Sequence, residues 1–311
     1  MFGSSVWRGV NSLRSVASVL LILICTVYLG TIHGSVVAAS TTFSFVWMTD
    51  TQHYSESYPA TYDAIALWIV NNKNAMGIRY VIHTGDIVEN ARNLSQWNNA
   101  NHSMRIMEAA NVTYGILGGN HDGADGFLNY HAYFGSQRFK TDLYYDNYPA
   151  GNNDDHYDLI TANGLKFVVV CLSYHVDRAE MAWASNVFST HPDRIGILAV
   201  HQYLKIDENY DGDGAALNAN IVLPNRNVWL VICGHNHGAQ LNVKTAGSRT
   251  YYELISDYQD LENGGKGFIK IFTFDAILNR VHVTTYSTAL NQYGGTSYSY
   301  DQFDLTLPSV R

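Results

Sequence analysis

Gly119-Asn120-His121-Asp122 sets an amide oxygen, an imidazole and a carboxylate on consecutive positions behind a backbone-permissive glycine. An amide oxygen can ligate a hard divalent cation, and an imidazole beside it can deliver a proton near neutral pH. Four further groups carry compatible chemistry: Asp50-Thr51-Gln52, Gly85-Asp86 with Asn90 shortly after, His201, and Gly234-His235-Asn236-His237. Taken singly, each has an ordinary explanation. A lone His201 after an apolar run is more often a core or capping residue, and Asp86 after Gly85 suits a helix cap. Two imidazoles one residue apart, His235 and His237, are harder to explain without a metal ion.

The elements that must position these groups are apolar runs of strand length. Phe43–Met48 precedes Asp50, 78–83 precedes Asp86, 112–117 precedes Asn120, 195–200 precedes His201, and 228–233 precedes His235. Helical patterns fall between the early runs: one from Pro59 closing by Gly77, and one over about 95–110. A further helix is expected over 178–190 and a further strand over 165–172. This alternation predicts an α/β sheet whose strands deliver polar residues at their C-terminal ends, where such sheets place their sites. The segment 123–163, rich in Tyr, Asn, Asp and Gly, reads as an ordered excursion over one edge of the site. After residue 240, β-type runs follow one another and suggest a second, largely antiparallel sheet packed on the first.

In order and spacing, the five groups closely resemble the calcineurin-like metallophosphoesterases of the metallo-dependent phosphatase superfamily. The resemblance implies a four-layered α/β/β/α sandwich, two mixed sheets flanked by helices, over residues 40–311. It also implies two divalent metal ions, Mn²⁺ foremost with Fe, Zn or Mg as alternatives. One ion would take Asp50, Gln52, Asp86 and His237; the other would take Asp86, Asn120, His201 and His235. A pair of ions about 3.5–4 Å apart neutralises a phosphoryl group and acidifies a water. His121 would then protonate the leaving oxygen, with Asp122 orienting its imidazole. One position departs from the family pattern, which has histidine where this chain has Gln52 followed by His53. Side chains alternate along an extended segment, so Gln52 is expected to share the side of Asp50 and His53 to face away. The expected activity is a phosphatase or phosphodiesterase acting on a small phosphoester, a nucleotide among the candidates. The competing reading is a non-catalytic metal- or ligand-binding protein with a weakened first metal site.

With 311 residues, 47% hydrophobic and 15% charged, the chain can bury a large core. Its net charge of −8 argues against a duplex nucleic-acid partner. Residues 1–39 read as a secretory signal: Arg8 and Arg14, an apolar run 16–29, and small residues Ala38-Ala39-Ser40. An uncleaved anchor is the alternative, and only then is membrane contact expected. Cys171 and Cys233 sit in apolar runs and are expected as buried free thiols. Asp257-Tyr258-Gln259, between two late runs, reads as an ordinary turn in preference to a substrate-side wall.

Overall fold

The computed structural model describes residues 41–149 and 152–308. The expected signal or anchor, residues 1–39, lies outside the described residues. Among those described, no helix is long and apolar enough to cross a membrane.

Among the described residues, fourteen strands form two mixed sheets. In the first, β1 (Thr42–Met48), β2 (Ile78–His83) and β3 (Tyr114–Ile116) run parallel. The second contains β4 (Tyr145–Asn147), β5 (Asp155–Ala162), β6 (Leu165–Leu172), β7 (Ile195–Val200), β8 (Val228–Cys233), β9 (Gly238–Ala246) and β10 (Arg249–Asp257), in the order β4-β5-β6-β7-β8-β10-β9. The strands β11 (Phe268–Asp275), β12 (Arg280–Ser287), β13 (Gln292–Tyr293) and β14 (Gln302–Thr306) then return to the first sheet through an antiparallel β11–β1 pair. The late strands therefore do not make a sheet of their own, as their succession suggested. β10 pairs in parallel with β8, Tyr252 opposite Leu230, whereas β11 pairs with β1, Phe43 opposite Phe274. Each joins a strand whose apolar side chains it continues, and such partners are distant in sequence. Likewise, 123–163 is more than an excursion, since it ends in β5, an eight-residue strand of the second sheet.

Helices cover both outer faces. α1 (Gln52–Ser57), α2 (Pro59–Asn72), α3 (Leu94–Ala109) and α4 (Leu128–Phe134) lie with the first sheet, and α5 (Arg178–Thr190) covers the second. The layering follows from period-two patterning in strands buried on both faces. On β1, Phe43, Phe45 and Trp47 enter the core between the sheets, while Val46 and Met48 face α2 and α3. On β6, Phe167, Val169 and Cys171 point inward, and Val168, Val170 and Leu172 meet α5. Phe43 stacks on its first-sheet neighbour Phe274 at 4.9 Å, and Phe45 and Phe274 meet Phe167 of the second sheet edge-on at 4.9 and 5.1 Å, which fixes one sheet against the other. α5 starts with a capping box: Asp177 accepts from the amides of Ala179 and Glu180, and Glu180 accepts from the amide of Asp177. Cys171 and Cys233 are free and buried. The architecture is the four-layered sandwich with two mixed sheets and flanking helices.

Candidate metal centre

The C-terminal ends of six parallel strands open on one site. β1 leads to Asp50, β2 to Asp86, β3 to Asn120, β7 to His201 and β8 to His235 and His237, while β10 ends in Asp257. Backbone bonds tie the loops together, Asp50 N–H donating to Gly85 O at 3.1 Å and Gly234 N–H to His201 O at 3.1 Å. Asp50 (φ 49°), Asp86 (φ 51°) and His235 (φ 72°) all adopt the left-handed conformation. For residues with a Cβ this costs of order 1 kcal/mol each and is held only by surrounding structure. The turn at Gly234 needs a glycine, because a Cβ there would strike the Asp50 carboxylate and the Thr49 hydroxyl.

Four of the expected ligands converge. His201 Nε2 and His235 Nδ1 each lie 2.9 Å from Asn120 Oδ1 and 3.2 Å from one another, and Asp86 Oδ2 is 3.4 Å from His201 Nε2. Ligands bonded to one ion at about 2.0–2.2 Å sit about 3 Å apart, so this spacing fits a shared divalent cation. Among the described residues, Asp86, His201 and His235 are the one group of three or more acidic, histidine or cysteine side chains close enough to hold a metal. His201 is fully buried, and its Nδ1–H donates to Thr84 O at 2.9 Å, aiming Nε2 at the cluster. Burial opposes charge on His201, but Asp86 outweighs it and lifts the imidazole to about 10. On Asp86, burial acts upward and is outweighed by His201 and His121, so its carboxyl sits below the usual range.

The other expected set is looser. Asp50 is buried, accepts from Thr49 Oγ1–H, and takes the His235 N–H at 3.1 Å. Burial and then the neighbouring Asp257 carboxylate raise Asp50 well above the carboxylate range. His237 is held by two other side chains, with Nδ1 2.5 Å from Asp260 Oδ2 and Nε2 receiving Gln259 Nε2–H at 2.8 Å. Gln52 opens α1 and is not in an extended segment, so the alternation argument gives way to a helical step of about 100°. It still faces the site: its Nε2 donates to Gln259 Oε1 and lies 3.5 Å from Asp86 Oδ2. Its Oε1 is buried with no donor. An orphaned buried oxygen is what a missing cation leaves behind, and rotating the amide would present that oxygen toward Asp86. His53 lies apart, its Nδ1 3.5 Å from Glu56 Oε2. Asn90 is exposed and caps Arg92 N–H locally.

The expected pairing of Asp122 with the His121 ring is revised. Asp122 is fully buried and accepts from the amides of Gly119 (2.8 Å), Ile87 (2.9 Å) and Val88 (3.0 Å). It clamps the loop after β2 to the loop after β3. Burial and the Asp86 charge push its carboxyl up to about 7. The imidazole of His121 is oriented instead by Glu89: Nδ1–H donates to Glu89 O at 2.9 Å, and Glu89 Oε2 lies 3.4 Å away. Nε2 is left 4.0 Å from Asp86 Oδ2, turned toward the cluster. Burial acts downward on His121, and Asp86 and Glu89 together more than reverse it, so the ring keeps its proton more readily than a free histidine.

Asp257 and Gln259 are not the ordinary turn expected. Asp257 is buried, its Oδ2 is 3.9 Å from His237 Nε2, and Gln259 bridges Gln52 to His237. Burial foremost pushes Asp257 up to about 6. The available signal was positional: Asp257 ends an apolar run, as Asp50 and Asp86 nearly do. Tyr144 and Tyr145 pack inside the fold, with Tyr145 stacked on Phe139 at 5.2 Å.

The model of the calcineurin-like phosphoesterase family matches residues 43–239. The uncharacterized protein YvnB of Bacillus subtilis (strain 168) is 38% identical over 279 residues, covering 85% of this chain; the chain spans 22% of that relative's length. The purple acid phosphatase PPD1 from yellow lupin (Lupinus luteus) seeds shares the fold at TM-score 0.57 and 13% identity, over 87% of this chain and 55% of its own. So does GAP50, the anchor in the inner membrane complex of Plasmodium, at TM-score 0.54 and 11% identity, over 86% of this chain and 90% of its own.

Proposed function

Because this chain belongs to the calcineurin-like phosphoesterase family, we propose that it hydrolyses phosphoesters with a dinuclear divalent-metal centre, Mn²⁺ foremost. The observation that carries this reading is the convergence of Asn120, His201 and His235 at 2.9–3.2 Å beside the buried Asp86. Those four side chains would hold the tighter ion. Asp50, Gln52, Asp86 and His237, with Asp257 behind them, would hold the weaker one, and Asp86 would be common to both. Bound divalent ions supply Lewis acidity that neutralises phosphoryl oxygens and makes a water nucleophilic near neutral pH.

The protein's own groups do the rest. His121, tethered through Nδ1, keeps a proton on the ring for the departing oxygen and is free to approach through Nε2. Asp122 holds the two loops that carry Asp86 and Asn120 in fixed relation. The test is hydrolysis of nitrophenyl phosphate and bis(nitrophenyl) phosphate by the full chain with added Mn²⁺. Turnover of at least one, abolished by chelation and restored by Mn²⁺, is expected; turnover of neither sinks the proposal.

A binding protein that keeps one ion is the second reading, and the engagement of His237 with Gln259 and Asp260 favours it. Gln52→His separates the two. An imidazole binds first-row divalent ions more tightly than a neutral amide oxygen. Under the binding reading elemental analysis shows about one ion in the parent rising toward about two in the variant, with turnover appearing; under the hydrolase reading both carry about two and the variant holds the weaker ion more tightly. Unchanged stoichiometry together with unchanged Mn²⁺ affinity in the variant would remove Gln52 from the metal set.

A further inference from the structure

A cavity of about 420 Å³ opens beside the metal cluster and shares Asn120 with it. Gly123, in the same turn as Asn120, also lines it. Phe127 and Tyr174 form aromatic walls, and the Tyr174 ring lies 5.9 Å from that of His235 and 6.0 Å from that of His201. The rest of the lining is mainly acidic: Asp154, Asp155 and Glu180 stand with Ser173 and His175, and no lysine or arginine lines the cavity.

These carboxylates are unequally satisfied. Asp154 Oδ1 pairs with His131 Nε2 at 2.6 Å, and Glu180 Oε2 takes the Asp177 N–H at 2.6 Å in the capping box. Asp155 Oδ1 takes the Ser173 N–H at 3.2 Å, but its Oδ2 has no donor although the residue is only 2% exposed. Burial, then the Glu180 carboxylate, pushes the Asp155 carboxyl up to about 8, the mark of a site short of positive charge. An unmade hydrogen bond on a buried acceptor is unfavourable enough to call for a partner.

Resting on the hydrolase reading above, we propose that this cavity is a leaving-group subsite for an ammonium, and that the substrate is a phosphoester of an amino alcohol. The phosphoryl group lies at Asp86, Asn120, His201 and His235, and the nitrogen lies against Asp155 and Glu180. A metal ion is the poorer occupant, since among the described residues the side chains close enough to share one are those of the Asp86 cluster. With Asp154 paired to His131, it is the Asp155–Glu180 pair that repels a second phosphate and is drawn into its charged form by a cation, and the faces of Tyr174 and Phe127 suit an alkylated ammonium. Hydrolysis forms one P–O bond from water and breaks the P–O bond to the amino alcohol, whose oxygen leaves with a proton.

The experiment compares pairs that differ chiefly in the ammonium charge on the Mn²⁺-loaded full chain: ethanolamine phosphate against ethyl phosphate, and choline phosphate against 3,3-dimethylbutyl phosphate. The cationic member is expected to show kcat/KM at least ten-fold higher. That ratio falls toward one in Asp155→Asn and in Glu180→Gln, the latter retaining the oxygen that caps α5. Equal rates within each pair, or a ratio surviving both substitutions, overturns the subsite while leaving the hydrolase reading intact. Calorimetry with free ethanolamine and choline supplies a readout independent of turnover. Binding lost in Asp155→Asn supports the subsite even if no ester is cleaved, in which case only the hydrolase reading falls; no binding to the unsubstituted chain overturns the subsite.

Discussion

Asp86→Asn is expected to lower kcat by roughly a thousand-fold or more, about 4 kcal/mol of transition-state stabilisation at 1.36 kcal/mol per decade. Asp86 faces every part of the centre: Oδ2 lies 3.4 Å from His201 Nε2 and 3.5 Å from Gln52 Nε2, and Oδ1 accepts the His121 N–H at 3.0 Å. Asparagine keeps an oxygen for that amide and removes the charge. Folding without metal should survive, but losing the charge that pairs with the buried His201 at 3.4 Å should lower the metal-free melting temperature. What disappears is the response to Mn²⁺. A ligand that binds only the folded state stabilises it by RT ln(1 + [L]/Kd), so the parent melts later as Mn²⁺ is added and the variant does not. Retained turnover, or an undiminished thermal response, would show that Asp86 is not the shared ligand.

Gly119→Ala is expected to do comparable damage by a different route. A Cβ on Gly119 would strike Oδ1 and the backbone nitrogen of Asp86 and lie 2.8 Å from Asp86 Cγ. Neither loop can yield cheaply, because Asp122 ties Gly119 N–H to the amides of Ile87 and Val88. Overpacking of this kind costs about 1–3 kcal/mol of stability, and here the strain falls on the ligand itself. Loss of most turnover with a melting temperature lowered by several degrees is the expected pair of results. An alanine variant with parental turnover and Mn²⁺ affinity would show that the close approach of these loops is dispensable.

Much of the site was legible because its chemistry follows strands whose apolar runs announce themselves. That Asp86, Asn120, His201 and His235 would share one rim followed from the rule that α/β sheets place polar residues at strand ends, and their grouping round one ion from the family resemblance. The rest depended on contacts that no local pattern encodes. Asp122 stands next to His121, yet its carboxylate is claimed by the Gly119 amide of its own loop and by the Ile87 and Val88 amides of the loop after β2. Glu89, which holds the imidazole, lies 32 residues from it in sequence. Gln52 was placed on the right side for an incomplete reason, since a helix begins there. Asp257 and Asp155 end and begin strands whose partners are settled by pairing across the sheet, and the division of β9–β14 between two sheets was hidden for the same cause.

The division of the ligands between the sheets has a consequence for the order in which the molecule is assembled. Asp50, Asp86 and Asn120 follow strands of the first sheet, while His201, His235 and His237 follow strands of the second. Neither half presents a complete coordination set, and β11–β14 must return from the far end of the chain before the first sheet is whole. Metal capture would thus be a closing event, following the docking of one sheet on the other through the aromatic core around Phe43, Phe167 and Phe274. An ion so held would act as a rivet across two leaves, and its affinity would gauge how faithfully they have come into register.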